Sequence, residues 1–148
     1  MISHRRRVHF EDVDAAGIVF FARYLNFCHE AMEAFFADVD GGYAGMVMKR
    51  RIGLPAVHID IDYCAPLRYG DAVDIETDVV HIGNSSCTLR YRFVREGSRA
   101  PVAVIKHTCV LCDLEGPTKI PIPEDVLAIL KANFAADEAE EPVTKKSS

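Results

Sequence analysis

Residues 21–38 read FARYLNFCHEAMEAFFAD. Within them Tyr24, Phe27, Cys28, Ala31 and Phe35 recur at steps of three, four, three and four, which lays one apolar stripe along a helix. Arg23, Asn26, Glu30 and Glu33 fall off that stripe. The spacing predicts a helix of about four to five turns running to Asp38 and stopped by Gly41 and Gly42. Upstream, residues 5–10 predict a short strand, broken at residues 12–17. Downstream the period changes to two. Val57, Ile59, Ile61 and Tyr63 alternate with polar neighbours, as do Val73, Ile75, Thr77 and Val79, and then Leu89, Tyr91 and Phe93. A further run spans residues 102–114. Turn signals separate these strands at Pro66 and Gly70, at Gly83-Asn84 and at Glu96-Gly97-Ser98. Short turns between consecutive strands imply an antiparallel meander. Pro121 and Pro123 precede a second, shorter helix carrying Val126, Leu127, Leu130 and Phe134. One apolar-striped helix and a one-sided sheet bury each other best when the sheet wraps the helix. The expected class is α+β. Open sheet edges favour edge-to-edge dimers or larger assemblies.

The 148 residues make one domain, expected over residues 1–136, with a charged tail at 137–148 read as disordered. A net charge of −5 argues against broad nucleic-acid binding, which needs a basic face. The longest apolar stretch, residues 15–22, is far short of the ~20 residues that span a bilayer. No apolar segment of a signal peptide follows Arg5-Arg6-Arg7, so a cytoplasmic location is expected. Five cysteines without framework spacing suit reduced thiols. Cys109 and Cys112 have CxxC spacing, but inside a strand they point to opposite faces, and no second pair exists to complete a metal site.

The chemistry concentrates just before the long helix, in Phe10-Glu11-Asp12-Val13-Asp14-Ala15-Ala16-Gly17-Ile18-Val19-Phe20-Phe21. Two carboxylates stand two residues apart in a small, apolar loop, and Gly17 permits a backbone conformation closed to other residues. The helix start that follows presents unpaired N–H groups and a partial positive charge. A carboxylate beside such a helix end suits acyl transfer, with the helix end stabilising the oxyanion. The same residues also suit a purely structural role, in which Asp12 and Asp14 satisfy loop amides and cap the helix.

This segment resembles the signature of the 4-hydroxybenzoyl-CoA thioesterase family of hot-dog proteins, which includes a Tol–Pal-associated branch. The pattern is an aromatic, Asp-x-Asp-x-x-Gly, two apolar residues and a later Tyr, met here by Phe10, Asp12, Asp14, Gly17, Ile18-Val19 and Tyr24. Ala65-Pro66 leading to Gly70-Asp71, and Ile120-Pro121 leading into the last helix, match further elements. The resemblance implies a hot-dog fold and an acyl-CoA thioesterase. It places the catalytic carboxylate, nucleophile or general base, on Asp14, the oxyanion donor on the Phe21 N–H, and the close loop approach on Gly17. Asp12 becomes a loop organiser. Phe20 and Tyr24 fall at the acyl pocket, with Leu54, Pro55 and Ala56 lining it from a partner subunit. Ala15 departs from a frequent Pro without removing a functional group.

No metal and no cofactor is implied, coenzyme A being part of the substrate. Relatives carry cations for the coenzyme A phosphates at the hairpin tip, which here is His81-Ile82-Gly83-Asn84-Ser85-Ser86. The phosphates are then expected at Arg50, Arg51 or Arg68, with Asn84 and Ser85, or the acyl group arrives on an acyl carrier protein. His29 and His58 read as structural histidines near a subunit interface. A hot-dog hydratase and a non-catalytic acyl-binding protein are the competing readings, the first weakened by the lack of a His beside Asp14. A homodimer assembling to a homotetramer is the expected state.

Overall fold

A computed structural model describes residues 1–136; the expected tail at 137–148 lies outside the described residues. In chain order the elements are β1 (Ile2–Arg7), α1 (Arg23–Phe35), α2 (Gly42–Met48), β2 (Ile52–Gly53), β3 (Ala56–Tyr63), β4 (Ala72–Ile82), β5 (Ser86–Arg95), β6 (Pro101–Val110), β7 (Cys112–Asp113), β8 (Thr118–Lys119) and α3 (Glu124–Ala132). A short 3₁₀ turn at Phe10–Asp12 follows β1.

The apolar stripe becomes the buried face of α1: Tyr24, Phe27, Cys28, Ala31, Met32 and Phe35. Against it lies the inner face of a five-stranded antiparallel sheet in the order β1-β4-β5-β6-β3. Period two decides that face. Ile75, Tyr91, Phe93 and Ile105 point at the helix and are wholly buried. Arg6 also points inward from β1, its guanidinium 4.1 Å above the Phe27 ring, and its Nε reaches both oxygens of Glu30 at 3.0 Å. A residue off the apolar stripe is thus tied to the sheet.

The structure corrects the sequence reading in four places. Only β4-β5-β6 form a meander; β3 pairs β6 at the far edge, and residues 64–71 carry the chain back to β4. Period two identifies a strand but not its neighbour. The first strand begins at Ile2 and ends at Arg7, because its pairing with β4 runs from Ile2↔Thr77 to Arg7↔Ala72. The long helix ends at Phe35, and Gly41, at φ 81°, starts α2 rather than closing α1. The run at residues 102–114 is two strands, β6 and β7, separated at Leu111.

The sheet's two edges differ. β1 is covered by α1, whereas β3 is exposed along nearly its whole length. Val57 is 60% and Tyr63 50% exposed, although both lie on the inner, helix-facing side. All five cysteines are free. Among the described residues no helix is long and apolar enough to cross a membrane, and no group of side chains is placed to hold a metal.

Candidate active site

The loop between β1 and α1 folds back on itself. The Asp14 N–H donates to the Ile18 carbonyl at 2.9 Å, Gly17 N–H donates to the Asp14 carbonyl at 2.9 Å, and Val13 bridges Val19. Gly17 sits at φ 77° with nothing within 4 Å of where a Cβ would stand, so the backbone angle and not crowding selects glycine there. Phe20 N–H then donates to the Asp12 carbonyl at 3.0 Å, which seats the arm entering α1 against the arm carrying Asp14. Ile18 bridges Arg68 and the Val19 N–H donates to Leu67, so residues 67–68 support the loop from below.

Asp12 is the buried anchor of this loop, 1% exposed. Its Oδ2 accepts from the His9 N–H at 2.8 Å and from Arg6 Nη1 at 2.8 Å, and Arg23 lies 3.7 Å from Oδ1. Burial pushes the Asp12 carboxyl up, but Arg6, the His9 N–H and Arg23 outweigh it and hold the group below the ordinary carboxylate range. For Arg6 the sense is the same: burial opposes its charge, and Asp12 with Glu30 more than restores it.

Asp14 is different. It is exposed, and its Oδ1 accepts only the Ala16 N–H at 2.8 Å, an Asx turn that orients the carboxylate. Its other oxygen has no partner among the described residues. The Phe21 N–H likewise makes no hydrogen bond among the described residues, whereas its carbonyl accepts the Tyr63 hydroxyl at 2.9 Å. An anchored loop therefore carries one free carboxylate oxygen and leads to one free N–H at the head of α1. That pair is what attack on a thioester carbonyl and stabilisation of the resulting oxyanion require.

A cleft of about 330 Å³ opens at the same helix end, lined by Ile18, Phe21, Tyr24, Tyr63 and Cys64 among others. Tyr24 is 3% exposed and packs edge-on against Tyr63 with ring centroids 5.2 Å apart. Burial raises the Tyr24 phenol, which keeps it neutral. Phe20 stacks obliquely on Phe21, with centroids 4.6 Å apart, outside the cleft. Leu54 packs against the core, while Pro55 and Ala56 stand exposed at the head of β3. None of these three lines the cleft of its own chain.

The cations expected at the phosphates separate into two groups. Arg50 forks onto Asp125, with Nη1 and Nη2 at 2.7 and 2.9 Å from the two oxygens, and Arg51 Nε meets Glu115 at 2.9 Å, so both are already paired. Arg68 has no ion pair among the described residues. Asn84 and Ser85 line a shallow 350 Å³ depression with Ser86 and Lys119. Lys119, on β8, is a cation at the hairpin tip that sequence reasoning missed, since only the fold brings the two together. Tyr63 was missed for the same reason. His58 is exposed on the outer face of β3, and Cys109 and Cys112 are both buried with no metal cluster around them among the described residues.

Comparison with known proteins identifies the family. The profile of the Thioesterase-like superfamily matches residues 8–130. A 1,4-dihydroxy-2-naphthoyl-CoA hydrolase of Thermosynechococcus vestitus is 33% identical over 130 residues, 87% of this chain and 88% of that protein. A solved gentisyl-coenzyme A thioesterase superposes with a TM-score of 0.77 at 29% identity, over 87% of this chain and 99% of that one. A 1,4-dihydroxy-2-naphthoyl-CoA thioesterase from Synechocystis gives 0.78 at 25%, over 87% and 94%. The fold is the hot-dog fold, its sheet wrapped around α1. The chain belongs to the Thioesterase-like superfamily, and it is a thioester hydrolase.

Proposed function

We propose that this protein hydrolyses an aroyl-CoA thioester to the free acid and coenzyme A, with Asp14 as nucleophile or general base and the Phe21 N–H as oxyanion donor. The observation that carries the reading is the unpaired Asp14 oxygen, held by a loop whose buried anchor is Asp12 and which leads directly to the unpaired N–H at the head of α1. The acyl group sits in the cleft with Tyr24 and Phe21, and Gly17 keeps the loop free of a side chain at its turn. The names of the relatives, acting on dihydroxynaphthoyl- and gentisyl-CoA, favour an aromatic acyl group over an aliphatic one.

The site is proposed to be completed by a second copy. β3 is an open edge with apolar side chains on its inner face. Full-length antiparallel pairing of β3 with its own copy sets Tyr63 opposite the other chain's Ala56. Because Tyr63 touches Phe21, that register delivers Leu54, Pro55 and Ala56 of the second chain to the cleft. The twofold also carries the other chain's hairpin tip toward the cleft, which makes Asn84, Ser85 and Lys119 the phosphate site, with Arg68 at the near end. One domain over residues 1–136, a cytoplasmic location and catalysis without a cofactor belong to the same reading.

Asp14→Asn tests it. Asn keeps the Ala16 N–H bond and loses the charge, so the variant should fold normally and lose at least about 10²-fold in turnover, on the scale of losing one group of a catalytic set. Thiol release from a panel of aroyl- and alkyl-CoAs reads the outcome. Turnover within a few-fold of wild type would take catalysis away from Asp14.

A further inference from the structure

At the head of α1, successive peptide units are each held by a different bond. The unit ending in the Phe20 N–H donates to the Asp12 carbonyl at 3.0 Å. The next unit carries the Phe21 N–H, and its other end, the Phe20 carbonyl, accepts the Arg23 N–H at 2.9 Å. The unit after that joins Phe21 to Ala22, and its carbonyl accepts the Tyr63 hydroxyl at 2.9 Å. Ala22 is the N-cap of α1, so the helix's own ladder begins at the Ala22 carbonyl. The Phe21 carbonyl falls just outside that ladder, and among the described residues no backbone N–H donates to it. The first two bonds are local. The bond from Tyr63 spans 42 residues of chain and is the one a side chain supplies.

Packing aims that hydroxyl. Tyr63 closes β3 on its inner face, and its ring meets Tyr24 edge-on, at 82° with centroids 5.2 Å apart. Tyr24 is itself buried against Phe93, with centroids 5.4 Å apart. The Tyr63 ring thus rests on the core while its tip reaches the loop. Burial raises its phenol above the ordinary range, so at neutral pH the hydroxyl stays protonated and donates. In a single chain Tyr63 is half exposed, and water competes for the hydroxyl. Pairing of β3 with a second copy, as proposed above, sets Ala56 opposite and removes that competitor.

The direction of the Phe21 N–H depends on the peptide units on either side of residue 21. With the Phe20 carbonyl tied to Arg23 and the Phe21 carbonyl tied to Tyr63, neither unit is free to rock. Hydrogen bonds weaken steeply once the donor angle falls below about 120°. Oxyanion donors act by being aimed before the charge develops. We infer that Tyr63 is a positioning residue for thioester hydrolysis: its hydroxyl locks the Phe21–Ala22 peptide and thereby the aim of the Phe21 N–H at the oxyanion. The inference rests on the assignment of that N–H in the reading above.

Tyr63→Phe removes the hydroxyl and keeps the ring on Tyr24; Tyr63→Leu removes both. Thiol release is measured on whichever acyl-CoA of the panel wild type turns over best. The protein concentration is one at which sedimentation shows the same assembly for wild type and both variants. An oxyanion donor acts in the transition state alone, so its misdirection falls on kcat. Losing such a donor outright costs about 10²–10³-fold. Losing its aim in Tyr63→Phe is expected to cost about tenfold in kcat, with KM within about twofold of wild type. Tyr63→Leu should lose at least as much. If the ring alone mattered, Tyr63→Phe would match wild type and only Tyr63→Leu would fall. A kcat for Tyr63→Phe within about twofold of wild type, or a loss that appears in KM instead, overturns the inference and leaves the thioesterase reading standing. A wild type that releases no thiol from any acyl-CoA overturns both.

Discussion

At Asp12 one carboxylate gathers a guanidinium from β1, the His9 N–H and, through its own backbone carbonyl, the Phe20 N–H. These bonds tie together the strand, the arm that carries Asp14 and the arm that enters α1. The charge is buried and compensated, so removing one member costs more than the pair contributes as a whole. Arg6→Met leaves Asp12 uncompensated and strips the guanidinium from both Glu30 and the Phe27 ring. The expected loss is about 3–5 kcal/mol, or about 10–15 °C in Tm for a domain of this length, with kcat falling as the loop loosens. Thermal unfolding by circular dichroism checks it; a Tm within about 3 °C of wild type would show that Arg6 holds little. The spacing Asp12-x-Asp14-x-x-Gly17 pointed from sequence to the loop proposed as reactive, because local chemistry is written locally. Arg6 could be read only as a surface cation at the start of a strand, since its partners lie 6 and 24 residues away.

The elements were legible in proportion to how much apolar surface each presents in a regular pattern. α1 buries one complete stripe and was legible to within a few residues at its end. α2 was not, because its seven residues bury only Gly45 and Met46 and begin at a glycine that elsewhere would stop a helix. Met46 seats α2 on the core with Tyr43 and Val47 beside it, and a polar clasp adds to that: Arg50, just past its end, forks onto Asp125 in the first turn of α3. The Arg50 hydrogen bonds, opposed by partial burial and helped by the Asp40 N–H, bring the Asp125 carboxyl down to about 2. Its folded value lies below its unfolded one, so the clasp contributes full stability above about pH 4 and loses it as pH falls toward 2. Asp125→Asn should therefore cost about 1–2 kcal/mol near pH 7, discounted for the side chain's partial exposure, and only a small part of that as pH approaches 2. Urea unfolding of both proteins from pH 7 down to pH 2.5 measures the difference. A gap that stays constant across that range would assign the loss to packing instead of charge.

For the whole molecule, the sequence announced an open sheet edge but not which strand forms it, and that strand bears on the proposed assembly. Alternation marked Val57, Ile59, Ile61 and Tyr63 as an inward face, and inward they point, but α1 sits over β1 and β4 and leaves β3 uncovered. An edge strand with unpaired backbone groups and exposed apolar side chains on the core side is incomplete as a monomer. In the proposed dimer, pairing with a second β3 closes the sheet across the twofold, buries Val57 and Tyr63, and brings the head of one chain's β3 to the other chain's α1. On that proposal assembly and catalysis are one equilibrium, because each cleft would be walled by both chains. Val57→Lys puts a charge on that inner face, outside the cleft of its own chain and next to the Ala56 that the pairing carries to the other chain's cleft, so the dependence on protein concentration is what separates assembly from a direct effect. Sedimentation should show wild type dimeric or larger at micromolar concentration and the variant shifted toward monomer. Its specific activity should fall on dilution and recover at high protein concentration, since only the fraction of paired chains turns over. If the dissociated variant kept wild-type activity per chain at every concentration, each site would be complete within one chain, and Leu54, Pro55 and Ala56 would have no place in it.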